Sequence, residues 1–422
     1  MKTIILVLVG SLFCQFLTAQ VYTEKQTRHR FAQLNFGADL ATNVGGKSHY
    51  LTGGDQLNEF DFPLTHQPRL IIGGTHFWGH ADFTISFPLL NSRFSKNDQD
   101  VYYRSGVETA FKFYPWRIEN KSFRPYLGIA LSTYQYEQDN KKRVWSDGPN
   151  LQVSRFPLLA GFTYNYGNQL FELGVSYNYD NTADYYLSEI ERASVELSPF
   201  QLHLSYRYML ETTLSAEKSW ESGKTQEVTQ KLAERGDLNS FFVGAGFSST
   251  FWLNESSYNK EAHPYIEKYP ISNMPDFALG YYLHKPDLNF TLAYRGYESQ
   301  TGSYGVDQNV SRNSLGLEVT KFLFDYHGFD PFIGPVVSYE NLSFTERVRG
   351  VENHDIEDQK FAYGVTFGWD IRPNRIQSWI LRTNLRWYPK LDLSVGSDQN
   401  ISFDNLEFNF IQLIVFPERL LD

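Results

Sequence analysis

The chain has almost no cysteine. Its one thiol, Cys14, lies in the N-terminal leader, which excludes a disulfide framework and a thiolate metal site from the rest of the molecule. Beyond that leader no apolar run reaches 18 residues, so no membrane-spanning helix is expected. Basic residues are in deficit. The 38 Lys and Arg face 48 Asp and Glu, a net charge of -10 that argues against a nucleic-acid partner. What is abundant is aromatic surface. The chain carries 28 Tyr and 34 Phe in 422 residues, yet its mean hydropathy is polar at -0.41.

The leader reads as a signal peptide over residues 1–19. Lys2 supplies the positive start, Ile4 to Leu17 the apolar stretch, and Leu17-Thr18-Ala19 a small-residue cleavage site before Gln20. The stretch is too short to span a bilayer comfortably, and bulky Phe13 beside Cys14 argues against a lipoprotein.

Past the leader the dominant pattern is alternation with period two. Phe171, Leu173, Val175 and Tyr177 alternate with Glu172, Gly174, Ser176 and Asn178. Phe361, Tyr363, Val365, Phe367 and Trp369 alternate with Ala362, Gly364, Thr366, Gly368 and Asp370, and Phe200 to Tyr208 repeats the scheme around His203, Ser205 and Arg207. In a soluble sandwich the polar phase would be rich in Lys, Glu and Thr. Here it is small and weakly polar, as suits the inner wall of a barrel whose bulky phase meets lipid.

Sixteen such segments can be counted. They begin near Phe31, Arg69, Ala81, Val101, Pro125, Leu151, Gln169, Phe200, Leu238, Phe277, Leu288, Val310, Pro331, Phe361, Ile380 and Leu406. Short connections such as Tyr166-Gly167-Asn168 alternate with long ones such as Asp180 to Ser198. That is the arrangement of periplasmic turns and extracellular loops in an outer-membrane barrel.

The two halves resemble each other. Phe123-Arg124-Pro125-Tyr126-Leu127-Gly128 matches Phe329-Asp330-Pro331-Phe332-Ile333-Gly334. The spacing between equivalent positions stays between 203 residues (Gly161 to Gly364) and 210 (Gly106 to Gly316), which reads as duplication of an eight-strand unit. The organisation expected is a first half over 20–214, a connection over 215–237 with a short helix from Thr225 to Arg235, and a second half over 238–422. A single sixteen-strand barrel is favoured; two tandem eight-stranded barrels are the alternative.

Motifs that would carry chemistry fall short. Gly223-Lys224-Thr225 lacks the first glycine of a phosphate-binding loop, since Lys218 stands there, and no strand immediately precedes it. His76 and His80 are four apart, but they flank a turn and have no third ligand. No G-x-S-x-G elbow occurs. No catalytic residue, metal or cofactor is expected, and the chain is not expected to be an enzyme. The informative polar set is the inward one: Arg104, Glu108, Lys112, Glu172, Arg207, Arg295, Glu318, Asp370, Arg382 and Arg386, with Asn384 between the last two. Facing lipid, each Arg or Lys would cost roughly 2–4 kcal/mol near the midplane, so these residues belong in the lumen.

By its alternating aromatic strands behind a signal peptide, and by inward glycines such as Gly161, Gly174, Gly364 and Gly368, the chain resembles the bacterial outer-membrane β-barrel superfamily over essentially the whole mature length. The resemblance implies residence in the outer membrane among its lipids and insertion by the barrel-assembly machinery, although the last strand ends at Phe416 with Pro417 to Asp422 still to follow. It implies no particular activity. The leading expectation is a passive, porin-like channel whose inward charges set selectivity. The second is a non-conducting barrel that works through a loop-bound partner, and the third a lipid-modifying enzyme.

Overall fold

The computed structural model describes residues 32–51, 56–96, 99–140, 147–211, 223–266, 268–326, 328–372, 375–396 and 398–420. The leader and its cleavage site lie outside them. Barrel strands β1 (Ala32–Val44), β2 (Thr65–His76), β3 (Ala81–Pro88), β4 (Gln99–Phe113), β5 (Ser122–Asn140), β6 (Leu158–Tyr166), β7 (Gln169–Tyr177) and β8 (Phe200–Glu211) form an antiparallel meander. It closes on itself where β8 pairs with β1, as at Ala38 opposite Tyr206. Strands β9 (Ser240–Trp252), β10 (Asn273–Leu283), β11 (Leu288–Ser303), β12 (Val306–Phe322), β13 (Phe329–Val348), β14 (Val351–Ile371), β15 (Trp379–Trp387) and β16 (Asn405–Val415) repeat the plan. They close where β9 meets β16, as at Gly246 opposite Gln412.

The sixteen expected strands are therefore present, and they make two eight-stranded rings instead of one ring of sixteen. A single ring would require β8 to pair with β9. Between them stands helix α1 (Gly223–Arg235), in the connection where the sequence places a short helix. The inward residues supply the physical reason for two rings. An eight-strand bore is just wide enough for side chains to fill, and these walls send full-length arginines and tyrosines into it. Arg207, Arg295, Arg312, Arg386, Tyr282 and Tyr388 are all fully buried. The segment expected from Leu151 is divided. A flanking strand over Asp147–Arg155 pairs with β5, and the barrel strand proper starts at Leu158, after Phe156-Pro157.

The outward phase is apolar and exposed, with Phe162, Leu173, Leu204, Phe277, Leu317 and Phe367 among its residues. This is the lipid-facing band of a membrane barrel. Among the described residues no helix is long and apolar enough to cross a membrane.

Inward glycines have a specific task. Tyr126 on β5, Gly161 on β6 and Gly174 on β7 lie in one row across the wall. Tyr126 runs over both glycines to donate a hydrogen bond to Glu172 Oε1 at 2.8 Å. A Cβ on Gly174 would sit 2.1 Å from the Tyr126 hydroxyl, and one on Gly161 would sit 2.6 Å from it. In the second barrel Gly280 leaves the same kind of room for the Phe242 ring, which a Cβ would meet at 2.2 Å. Gly174→Val should overpack the lumen and pull Tyr126 off Glu172. About 1–3 kcal/mol of stability should be lost, read as a lower urea midpoint at unchanged slope.

Candidate functional site

The site that the charged residues define is the pair of lumens. In the first barrel Arg207, rising from β8, makes a bidentate contact with Asp82 at 2.7 and 3.0 Å and also reaches Glu172 at 3.0 Å. Glu172 binds Lys112 at 2.5 Å. One layer toward the long loops, Arg69 binds Asp39 at 2.5 Å and lies 3.5 Å from Glu108, which accepts from Ser132 at 2.5 Å.

The second barrel is built alike. Arg386 spans Asp276 and Glu318, both at 2.6 Å. Arg295 joins Glu318 at 3.2 Å to Glu407 at 2.8 Å. Arg312 reaches Glu407 at 2.8 Å and clasps Glu340 with two bonds of 2.8 Å. Tyr388 lies against this layer and accepts from Arg295 at 2.6 Å. Nearer the short turns, Arg382 clasps Asp370 at 2.7 and 2.9 Å. A carboxylate–guanidinium fork of this kind is the strongest polar contact that protein groups make. Inside a low-dielectric wall, satisfied networks rigidify the whole bore.

All the expected lumen residues with described side chains (Glu108, Lys112, Glu172, Arg207, Arg295, Glu318, Asp370, Arg382 and Arg386) are inward and buried, as is Asn384. Arg104 sits in β4 opposite Gln135; its side chain lies outside the described residues. Sequence reasoning missed part of each network: Asp39, Arg69 and Asp82 in the first barrel, Asp276, Arg312, Glu340 and Glu407 in the second. The signal was present, since each occupies the inward phase of its strand.

The long-loop ends are sealed as well. Over the first barrel, short strands Lys47–Leu51, Leu57–Asp61, Thr182–Tyr186 and Arg192–Glu196 form a separate four-stranded sheet. Its Phe62 neighbourhood stacks on Tyr103 of the wall, with ring centroids 4.9 Å apart. Over the second, helix α2 (Ser257–Ala262) and the Asp392–Ser402 hairpin bring Tyr258, Leu393 and Phe403 onto the wall residues Trp252 and Phe344. At the opposite end of that barrel Phe242, Tyr282, Phe322, Phe332 and Phe416 close the bore with edge-to-face rings.

One constellation has catalytic spacing. Ser176 Oγ lies 3.2 Å from His203 Nε2, and His203 Nδ1 lies 3.3 Å from Asp39 Oδ2. The order Ser, His, Asp is that of a nucleophilic triad, but His203 Nδ1 is contested. Arg69 Nη2, which only donates, stands 2.9 Å from it, while the Asp39 carboxylate on the same nitrogen only accepts. Where Arg69 holds Nδ1, Nε2 carries the proton and the imidazole donates to Ser176 instead of taking its proton as a general base must. All three residues are buried in the filled lumen. His80 Nδ1 contacts the Tyr114 carbonyl at 2.9 Å. Among the described residues no group of three metal-binding side chains converges around His76 and His80 or anywhere else.

Two closed, filled, lipid-facing β-barrels in tandem are thus the class that fold and site define. No protein-family model matches the chain, and no curated protein does. Solved outer-membrane barrels do align. Neisserial surface protein A is 16% identical over 42% of this chain and 98% of its own, with a TM-score of 0.30. The Pseudomonas putida toluene transporter TodX is 6% identical over 91% and 88%, with a TM-score of 0.18. OmpT, an outer membrane protein of Vibrio cholerae, is 8% identical over 91% and 99%, with a TM-score of 0.16. These likenesses are distant, and the reading of this chain rests on its own geometry.

Proposed function

We propose that the protein is a non-conducting, non-enzymatic outer-membrane scaffold, placed there by the barrel-assembly machinery, that engages a partner through its long-loop end. The observation that carries this reading is the continuous ion-pair layer across each lumen, in which the described charges intended for a passing solute are bound to one another. The porin-like reading needs a water-filled bore, and eight strands leave no room for one around buried arginines. The long-loop end offers material for recognition. Strands β13 and β14, of 20 and 21 residues, run well beyond the length that crosses a bilayer. From Val351 to Gly364, β14 pairs with β13 alone among the described strands. An edge of this kind can accept a further strand from a partner.

The full-length mature protein, refolded and inserted in a planar bilayer, should be electrically silent. The double variant Arg382→Gln, Arg386→Gln should stay silent too and be less stable. Large steady openings in the wild type, or a shift of reversal potential in the variant, would restore the channel reading. Phospholipid hydrolysis abolished by Ser176→Ala would restore the enzymatic one.

A further inference from the structure

The two barrels touch at both rims and part in between. At the short-turn rim Phe77 and Trp78 pack with Ile371, Trp369 and Phe329, and the Phe83 and Trp369 rings meet at 5.7 Å. At the long-loop rim Tyr304 donates to the Tyr186 carbonyl at 2.7 Å, and Ser303 donates to the Gly148 carbonyl at 3.0 Å. The Ile271 amide donates to Gln152 at 3.1 Å. Contacts at both ends set the barrels side by side. The space left between their walls is a groove of about 290 Å³, lined by Ile85, Phe111, Ile129 and Leu131 of one barrel and Leu381 and Phe410 of the other.

Water will not fill this groove. An apolar cavity of about 150 Å³ already stays dry and takes up benzene or xenon instead. The groove is continuous with the lipid-facing band, because two of its lining residues, Ile129 and Phe156, are still 44% and 53% exposed on that face. Its length also fits lipid. His76 pairs with Ala81, which pairs with Phe113, and the groove continues along β4 to Thr109. At roughly 3.3 Å per residue that is about 13 Å along the strand, close to half of the ~30 Å hydrocarbon thickness.

One polar group at the groove packs its ring on Phe77 and Phe83 but leaves a ring nitrogen unpartnered. His76 is on the outward phase of β2, with Leu70 and Ile72, where a lipid-facing side chain is expected. It is only 7% exposed, it lines the groove, and its Nδ1 has no hydrogen-bond partner. A buried polar atom left this way is costly to the fold. It sits at the short-turn end of its strand.

We propose that the inter-barrel groove is a specific binding site for one acyl chain of a membrane phospholipid, with the ester end of that chain at His76. The site goes beyond the scaffold reading and does not depend on whether the lumens conduct. Lipid here completes the contact between the barrels, filling the gap that their rims enclose.

The test is native mass spectrometry of the full-length mature protein refolded in detergent with dimyristoyl phosphatidylethanolamine. One lipid per chain should survive the activation that strips the rest. Thr109→Trp and Thr383→Trp fill the groove from opposite walls, and each should lower the retained fraction at least tenfold while barrel circular dichroism is kept. His76→Leu should lower it several-fold, and tetradecane offered in place of the phospholipid should bind wild type and His76→Leu alike. Three results would overturn the proposal: a folded wild type that retains no lipid, retention unchanged in both tryptophan variants, or retention unchanged in His76→Leu. Because two separate walls are altered, misfolding of one variant leaves the other decisive.

Discussion

Arg207→Ala should cost the first barrel about 3–5 kcal/mol and leave the second barrel unmoved. The range is that of a buried ion pair broken from one side. Here the loss is felt twice, since Arg207 is the common partner of Asp82 and Glu172. Removing it leaves two carboxylates in a bore where, among the described residues, only Lys112 is in ion-pair contact with either. The companion variant decides what kind of loss this is. Arg207→Met combined with Asp82→Asn and Glu172→Gln removes the charges together and should recover much of the stability, because an uncompensated charge costs far more than an absent pair. Hydrogen exchange resolved by peptide separates the barrels. Amide protection should fall across β1 to β8 in the single variant and hold across β9 to β16. Equal loss in both would mean that the barrels unfold as one cooperative body.

Residues 32–211 and residues 238–420, produced as separate chains, should each refold into a detergent-resistant barrel. Every wall strand finds both of its neighbours within its own half, so cutting the connection exposes no sheet edge. Halves of one sixteen-strand ring would behave in the opposite way. Each would be an open sheet with two unpaired edges, a template for aggregation. Refolding yield in lipid, scored by protease resistance of the strands, separates the two outcomes completely.

The difference between one ring and two also marks where the sequence stops being informative. Alternation placed fifteen of the sixteen wall strands and the inward phase of the charges, because a period of two is a local property written into each strand. Closure is not local. The edge of β8 that pairs with β1 offers the same backbone donors and acceptors as an edge that would pair with β9, so nothing within Phe200–Glu211 says which partner it takes. Side-chain volume was the available clue: fully buried Arg207 and Arg312 need opposing walls close enough to supply their carboxylates. The segment at Leu151 failed for a simpler reason. Pro157 cannot donate to a ladder, and Phe156-Pro157 marks where the outer strand ends and the wall begins. Of the lumen set, the carboxylate and arginine partners went unseen where they stood at the margin of a counted segment, as Asp276 does before Phe277 and Glu407 does after Leu406.

The balance of charge inside the first barrel bears on how the molecule responds to voltage. Among the described lumen side chains, Arg69, Lys112, Arg124 and Arg207 are matched in number by Asp39, Asp82, Glu108 and Glu172, all of them buried. A single charge carried across a membrane gains about 2.3 kcal/mol per 100 mV, which is enough to drive gating when several move together. Described charges that balance give the field little to pull as a unit, and Arg69, Lys112 and Arg207 are each tethered by an anion that the field pushes the other way. On the scaffold reading the bore is shut in a manner that membrane potential does not open.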